Sequence, residues 1–368
     1  MRNILVFTTA IEHTTHRKAA ILLANEGANV SLAGFTRNNF PASKIENIAV
    51  YQLGTISHGS YLTRIMKAFK SLHKIRDLAK EQEVIYCFTL DGLIISSLAL
   101  FFIKKKWVYQ VQDIRPIYFG NGLKNKLARF LEKWMLKKVD LLVVSSKEYY
   151  TGHFKPLYNF DDEKVRVIEN KLPRDFVVKS EQTKEKRKVL VIGYFGVLRC
   201  LRSWEILYQL ARNAPNDINL LLRGKPDAMP NLDEQIIGDK NITYGGLYKS
   251  PDDLHSLYSA VDIVWACYPY SEERYGNWKL ARTIRFYEAL AYAKPVIVQK
   301  GTAQEKDVLK YNIGLVIDMS APDTVLESLQ AITSDMLDDW KRNIAELPRN
   351  YLFHNDEHQK LLKAINEL

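Results

Sequence analysis

The chain has 368 residues, enough for two ordinary domains and too many for one comfortable core. At 47% hydrophobic and 26% charged residues it reads as globular, which excludes a disordered chain or a coiled coil. Lys and Arg number 52 against 42 Asp and Glu, a net charge of +10, and Cys87, Cys200 and Cys267 lie far apart with no CxxC or His-rich neighbour, which argues against a disulfide framework or a structural zinc site.

Taken from the amino terminus, the first half alternates short β-rich runs with helical stretches. Strands are predicted at Ile4–Thr8, Val30–Ala33, Ile48–Leu53, Val84–Phe88, Trp107–Val111 and Leu141–Ser145. Helices are predicted at His16–Asn25, ended by Gly27, and near Tyr61–Lys80, Asp91–Ile103 and Leu123–Lys138. Alternation at this spacing specifies βαβ units and a parallel sheet. The run 180–188 (SEQTKEKRK) has no apolar residue and reads as a linker. It separates a first domain, 1–179, from a second, 189–349, and a helix at about 350–368 is expected to pack back on the first.

The second half repeats the pattern. Val189–Phe195 is an apolar strand that Gly196 should end, followed by a basic loop and a helix with Ser203 as N-cap. Further strands are predicted at Ile218–Leu222, Val261–Ala266, Pro295–Val298 and Leu315–Ile317. A helix after Ser250 should open with Pro251 at its first position. The expected class is α/β, with two doubly wound Rossmann-like domains facing across a cleft and ligands beyond the carboxyl ends of the strands.

The amino-terminal apolar run is too short for a signal peptide and lacks a small-residue cleavage site, and Leu93–Ile103 is too short to span a bilayer. A cytoplasmic protein is expected, peripheral at most at the inner face of the cell membrane. Residues 1–180 hold 28 Lys/Arg against 16 Asp/Glu, so the basic excess belongs entirely to the first half. Such asymmetry suits an anionic partner, and with no nucleic-acid module in the sequence an anionic membrane is favoured over nucleic acid. No GxGxxG follows the first strand, and GxxxxGK[ST], HExxH and GxSxG are absent. Without an Asp-x-Asp pair, neither a metal clamp nor a cofactor is expected.

Two segments carry chemistry. In VLVIGYFGVLRCLRSWEIL (189–207), Gly196 lets a ligand approach the backbone, and Arg199 and Arg202 precede a helix start. Two permanently charged, bidentate guanidinium groups there suit a pyrophosphate. In TIRFYEALAYAKPVIV (283–298), Glu288 is a carboxylate in a mostly apolar helix, with Arg285 one turn earlier. An ionised carboxylate there needs donors, which two ribose hydroxyls would supply; the alternative is a plain Arg285–Glu288 surface pair. Tyr268, Tyr270 and Tyr275 are candidates for stacking on a base or sugar.

Together these segments resemble the carboxyl-terminal domain of the group-one glycosyltransferases of the GT-B fold, in their bacterial polysaccharide-assembly branch. The resemblance runs through IGYFGVLR, LLLRGKPD (220–227), YGGLYKSPDDLHSLYSAVDIVWACY (244–268), IRFYEALAYAKPVIV and GLVID (314–318). In the first half it is looser, through TTHRKAAILLANEGANVSLAGF (14–35), VYQVQDIRP (108–116), LEKWMLKKVDLLVVSS (131–146) and KVRVIENKLP (164–173). It implies that Glu288 binds the donor ribose and that Gly196, Arg199, Arg202 and Arg285 complete the donor site. Arg199, Arg202 and Asp113 are then the catalytic candidates, and Arg17, His16 and Asp113 the acceptor-side ones. Two positions depart from the family: Leu280 stands where many relatives carry a second glutamate, and Gln112 where a histidine is common.

The expected activity is retaining, metal-independent hexosyl transfer from a nucleoside diphosphate sugar to a glycan or lipid-linked acceptor in cell-surface polysaccharide biosynthesis. Alternatives are a sugar-nucleotide epimerase or glycosyl-phosphate synthase of the same fold, or a non-catalytic partner subunit. Leu123, Leu127, Phe130, Leu131 and Trp134 form an apolar stripe among lysines, and Tyr61–Lys80 repeats the theme. Both stripes are expected to face the sheet, while the surplus charge favours contact with an anionic membrane.

Overall fold

Strands covered on both faces need near-continuous apolar runs. Val84–Phe88, Leu141–Val144 and Val296–Gln299 have that character and are buried at every residue. The computed structural model describes residues 2–37, 44–56, 69–178, 189–271 and 276–368. The chain forms two compact units, Met1–Glu169 with Asp356–Leu368, and Asn170–Asn355. The expected linker 180–188 lies outside the described residues.

The first unit holds seven parallel strands: β1 (Asn3–Thr8), β2 (Asn29–Arg37), β3 (Ala49–Ile56), β4 (Val84–Phe88), β5 (Lys106–Val111), β6 (Leu141–Val144) and β7 (Val165–Val167). Their spatial order is β3-β2-β1-β4-β5-β6-β7. The second unit holds six parallel strands: β8 (Leu190–Val197), β9 (Ile218–Lys225), β10 (Ile242–Tyr244), β11 (Ile263–Trp265), β12 (Val296–Gln299) and β13 (Gly314–Ile317), in the order β10-β9-β8-β11-β12-β13. Each sheet reverses direction of build once, between β1 and β4 and between β8 and β11. Such a switch point opens a crevice at the carboxyl ends of the two strands.

The carboxyl-terminal helix Glu357–Glu367 buries Leu361, Leu362, Ala364 and Ile365 among Ile4, Val6 and Leu23 in the core of the first unit. The chain leaves that unit at Asn170, earlier than the linker reading implied. Leu172 pairs with Phe353 there, accepting from the His354 N–H at 2.9 Å and donating to the Leu352 carbonyl at 3.0 Å.

Four local expectations need correction. The strand β8 does not stop at Gly196 but runs to Val197, because Gly196, at φ +97°, pairs with Gly224 of β9. The next helix is Leu201–Asn213, capped by Cys200, whose sulfur accepts the Ser203 N–H at 3.4 Å; Ser203 is inside the helix and buried. Pro251 precedes the helix Leu254–Ser259, and the Ser250–Pro251 peptide is cis. The stripe on the helix Leu123–Leu136 does not face the sheet: Leu123, Leu127, Phe130, Leu131 and Trp134 are all exposed. What that helix turns inward is Glu132, Met135 and Leu136. Of the second stripe, residues 57–68 lie outside the described residues and Leu72–Ala79 is helical.

Candidate functional site

The site is built at the switch point of the second sheet. Gly196 and Gly224 are needed where β8 and β9 end: a Cβ on Gly224 would stand 1.8 Å from the Gly196 carbonyl oxygen. A Cβ on Gly196 would stand 3.4 Å from Arg285 Nη1 and 3.8 Å from the Tyr248 hydroxyl. The glycine therefore brings open backbone up to a guanidinium and a phenol.

Arg285 belongs to the helix Ile284–Ala291, which Thr283 caps by accepting the Phe286 N–H at 3.3 Å. Its Nη1 donates to the Phe195 carbonyl, and its Nη2 to the Cys267 carbonyl at 2.9 Å. One side chain thus ties the end of β8 to the segment after β11. It also lies 5.2 Å from the Tyr194 ring centroid, and its Nε–H is buried without an acceptor among the described residues. Its donors go to the main chain, not to Glu288.

Glu288, one turn further along the helix, is only 6% exposed. The fully buried Tyr258 hydroxyl donates to its Oε2 at 2.8 Å. Burial, and then the Glu288 charge, raise the Tyr258 pKa well above 10, so this phenol stays protonated. Tyr248 is pushed up to about 12 by the same two causes in the same order. The carboxylate thus has a protein donor of its own, which sequence reasoning missed. The signal was present only indirectly, since a buried carboxylate requires donors.

The two loop arginines are held by the aromatic segment after β11. Arg199 is exposed, donates from Nη2 to the Tyr268 hydroxyl at 3.1 Å, and lies 5.2 Å from that ring centroid. Asn277 donates to the same hydroxyl at 2.7 Å. Arg202 lies 5.9 Å from the Tyr270 ring and 3.7 Å from Glu205, in the first turn of its helix and not ahead of it. Cys200 also accepts the Tyr270 N–H at 3.2 Å, so cap and aromatic segment are one assembly. Tyr268 and Tyr270 therefore hold guanidinium groups, and Tyr275 lies outside the described residues. Leu280 ends the short helix Asn277–Leu280 and is partly buried.

The remaining candidates lie in the first unit. His16 is 3% exposed, stacked between His13 (centroids 4.2 Å apart) and Phe88 (4.1 Å), with Nδ1 2.6 Å from Thr8 Oγ1. It thereby packs between the ends of β1 and β4, at that sheet's switch point. Arg17 is partly buried and donates to the Lys44 carbonyl at 3.3 Å. Asp113 is exposed just after β5, and the neighbouring Gln112 accepts the Tyr149 hydroxyl on its carbonyl at 2.8 Å. Among the described residues no group of three or more His, Cys, Asp or Glu is placed to hold a metal ion. Nor is any described helix long and apolar enough to cross a membrane.

Chemically, the second unit offers a buried carboxylate, a guanidinium braced on two carbonyls, and two further guanidinium groups on one sheet edge. Such a set can bond hydroxyls at one end and an anion at the other.

The two parallel, doubly wound sheets define the GT-B fold, shared with solved glycosyltransferases over essentially the whole chain. Anabaena HepE, solved with UDP and glucose, matches with a TM-score of 0.72 at 16% identity, over 100% of both chains. Sucrose-phosphate synthase from Thermosynechococcus elongatus gives 0.71 at 14% identity, over 100% of this chain and 99% of that one. WaaG, a glycosyltransferase involved in lipopolysaccharide biosynthesis, gives 0.69 at 16%, over 98% and 99%. In sequence, the chain is 25% identical to the succinoglycan biosynthesis protein ExoL of Rhizobium meliloti (strain 1021), over 100% of this chain and 94% of that protein. A comparison with protein-family models finds no match.

Proposed function

We propose that the protein is a glycosyltransferase that moves a hexosyl group from a nucleoside diphosphate sugar to a glycan or lipid-linked acceptor during cell-surface polysaccharide assembly. The observation that carries this reading is the buried Glu288, held by Tyr258 and one helical turn from Arg285, whose guanidinium lies against the open backbone of Gly196. The UDP and glucose of the HepE complex support a nucleoside diphosphate sugar as donor, and the likeness to ExoL supports polysaccharide biosynthesis.

In this reading Glu288 accepts hydrogen bonds from the donor ribose, and Tyr258 keeps the carboxylate oriented for it. Arg199 and Arg202 hold the diphosphate and stabilise the charge it gains as the sugar departs. Permanently charged guanidinium groups supply that countercharge, so transfer is proposed to need no divalent ion and no other cofactor. Transfer is further proposed to retain anomeric configuration. His16, Arg17 and Asp113 are proposed to serve the acceptor, with Asp113 also a catalytic candidate.

The test is incubation of the purified chain with a panel of mass-tagged sugar nucleotides, with and without chelator, scoring hydrolysis and transfer. Turnover of one donor that survives chelation is expected, with product stereochemistry read by NMR. No turnover or binding of any sugar nucleotide would refute the reading.

A further inference from the structure

The helix Leu123–Leu136 is built inside out. Its inward face carries Glu132, whose carboxylate lies 2.8 Å from His153 Nε2 and also accepts the Tyr158 hydroxyl, with Met135 and Leu136 beside it. These contacts decide which way the helix faces, because a buried carboxylate must keep its partners. The apolar residues are left outside: Leu123 is 84% exposed, Phe130 65% and Trp134 47%. A soluble helix normally hides such a stripe.

The exposed face does not end with this helix. Lys138 Nζ lies 5.6 Å from the Trp134 ring and 5.7 Å from the Phe101 ring, and donates to Ser97 at 2.7 Å. One cation therefore joins Trp134 to the end of the preceding helix, Thr89–Ala99, and to the turn after it. There Leu98, Phe101 and Phe102 are exposed, Phe102 at 87%. Single exposed apolar side chains need no explanation, but a contiguous set marks an interaction site.

Charge identifies the partner. Lys124, Lys126, Lys133 and Lys137 are exposed along the helix, and Lys104 follows Phe102. In residues 122–138 the sole acid is Glu132, and it is buried; residues 98–106 contain none. The outward face is thus apolar and cationic with no exposed acid of its own. A second copy of this face would be repelled by like charge. A bilayer with anionic headgroups satisfies both halves, since aromatic and leucine side chains enter the boundary with the acyl chains while lysines remain at headgroup level.

We propose that this face of the first unit, from Leu98 through Phe102 and along the outer side of Leu123–Leu136, docks on an anionic lipid bilayer. The inference goes beyond the proposed transfer reaction and uses none of its residues. It also needs no membrane-spanning segment.

The test is flotation of the full chain with vesicles of phosphatidylglycerol and phosphatidylcholine in equal parts, or of phosphatidylcholine alone, at low and high salt. Binding to the mixed vesicles that fades with salt is expected, with a blue shift of tryptophan emission that Trp134→Phe largely removes. Triple replacement Lys124→Glu, Lys126→Glu, Lys133→Glu should weaken binding at least about a hundredfold, each lost lysine counting for about fivefold. The pair Phe130→Ser, Trp134→Ser should weaken it more than about tenfold. These side chains are exposed, so melting temperatures should stay at the wild-type value. No flotation at low salt, equal binding to neutral vesicles, or undiminished binding by both variants would overturn the proposal. Sugar-nucleotide binding is read separately and should be unaffected in either variant, so failure here is distinct from failure of the transfer reading.

Discussion

Replacing Glu288 tests the donor site where structure and chemistry are most tightly joined. Glu288→Gln keeps the volume but turns a charged acceptor into a neutral amide. Hydrogen bonds to charged groups contribute about 1.5–3 kcal/mol, so losing the charged ribose contact should weaken nucleoside diphosphate binding about ten- to hundredfold. Glu288→Ala does more. It also leaves the buried Tyr258 hydroxyl without the acceptor it now has at 2.8 Å, a stability cost of about 1–3 kcal/mol. Tyr258→Phe separates the two effects, because it removes the internal bond and leaves the carboxylate in place. Its melting temperature should fall while its nucleotide affinity falls less than in Glu288→Gln. Calorimetry with the donor nucleotide and with its 2′,3′-dideoxy analogue provides the assay. Wild-type protein should prefer the ribose form, and Glu288→Gln should lose most of that preference. A folded Glu288→Gln variant with unchanged affinity and unchanged preference would refute the ribose assignment.

Arg199→Ala and Arg202→Ala should each lower turnover more than donor affinity, because charge on the departing diphosphate grows in the transition state. Lysine should rescue only partly, lacking the bidentate fork and the delocalised guanidinium that lies over Tyr268 and Tyr270; full activity in both alanine variants would move the phosphate site to the helix starts at Thr283 or Thr302. Stability should also depend on pH through His358, which burial holds below the ordinary imidazole range, from 6.5 to about 4. The unfolded chain then binds the extra proton first, so this stabilisation is complete above pH 6.5 and is lost as pH falls toward 4, by about 3 kcal/mol in all. Melting temperatures measured across that window should drop for wild-type protein, and His358→Gln should flatten the slope; an unchanged slope in the variant would contradict the assignment.

The fold was legible because parallel strands advertise themselves: Val84–Phe88 and Leu141–Val144 are apolar at every position. β7 (VRV) and β10 (ITY) escaped because each is three residues with a polar one in the middle, whereas the equally short β11 (IVW) is apolar throughout. At the site, Gly196, Arg285 and Glu288 could be picked out because each residue type is unusual in its local setting. Tyr258 could not, since its link to Glu288 spans 30 positions and exists only once the helices pack. Cys200 was overlooked as a cap because Ser, Thr, Asp and Asn are the preferred N-cap residues, and Ser203 stood nearby. The stripe on Leu123–Leu136 shows a different limit. Periodicity reveals that a helix has two faces, while the choice between them rests here on His153 and Tyr158, 21 and 26 positions along the chain from Glu132.

The return of the last helix to the first unit sets the order in which the protein can be finished. On the ribosome the seven strands of that unit emerge before the second unit, yet Leu361, Leu362 and Ile365, which cover part of their core, are made only after it. The second unit must therefore be synthesised while its predecessor still exposes an uncovered apolar surface. A fragment ending at Glu169 would carry that surface permanently and should aggregate, whereas the same fragment supplied with residues 356–368 as a separate peptide should regain solubility.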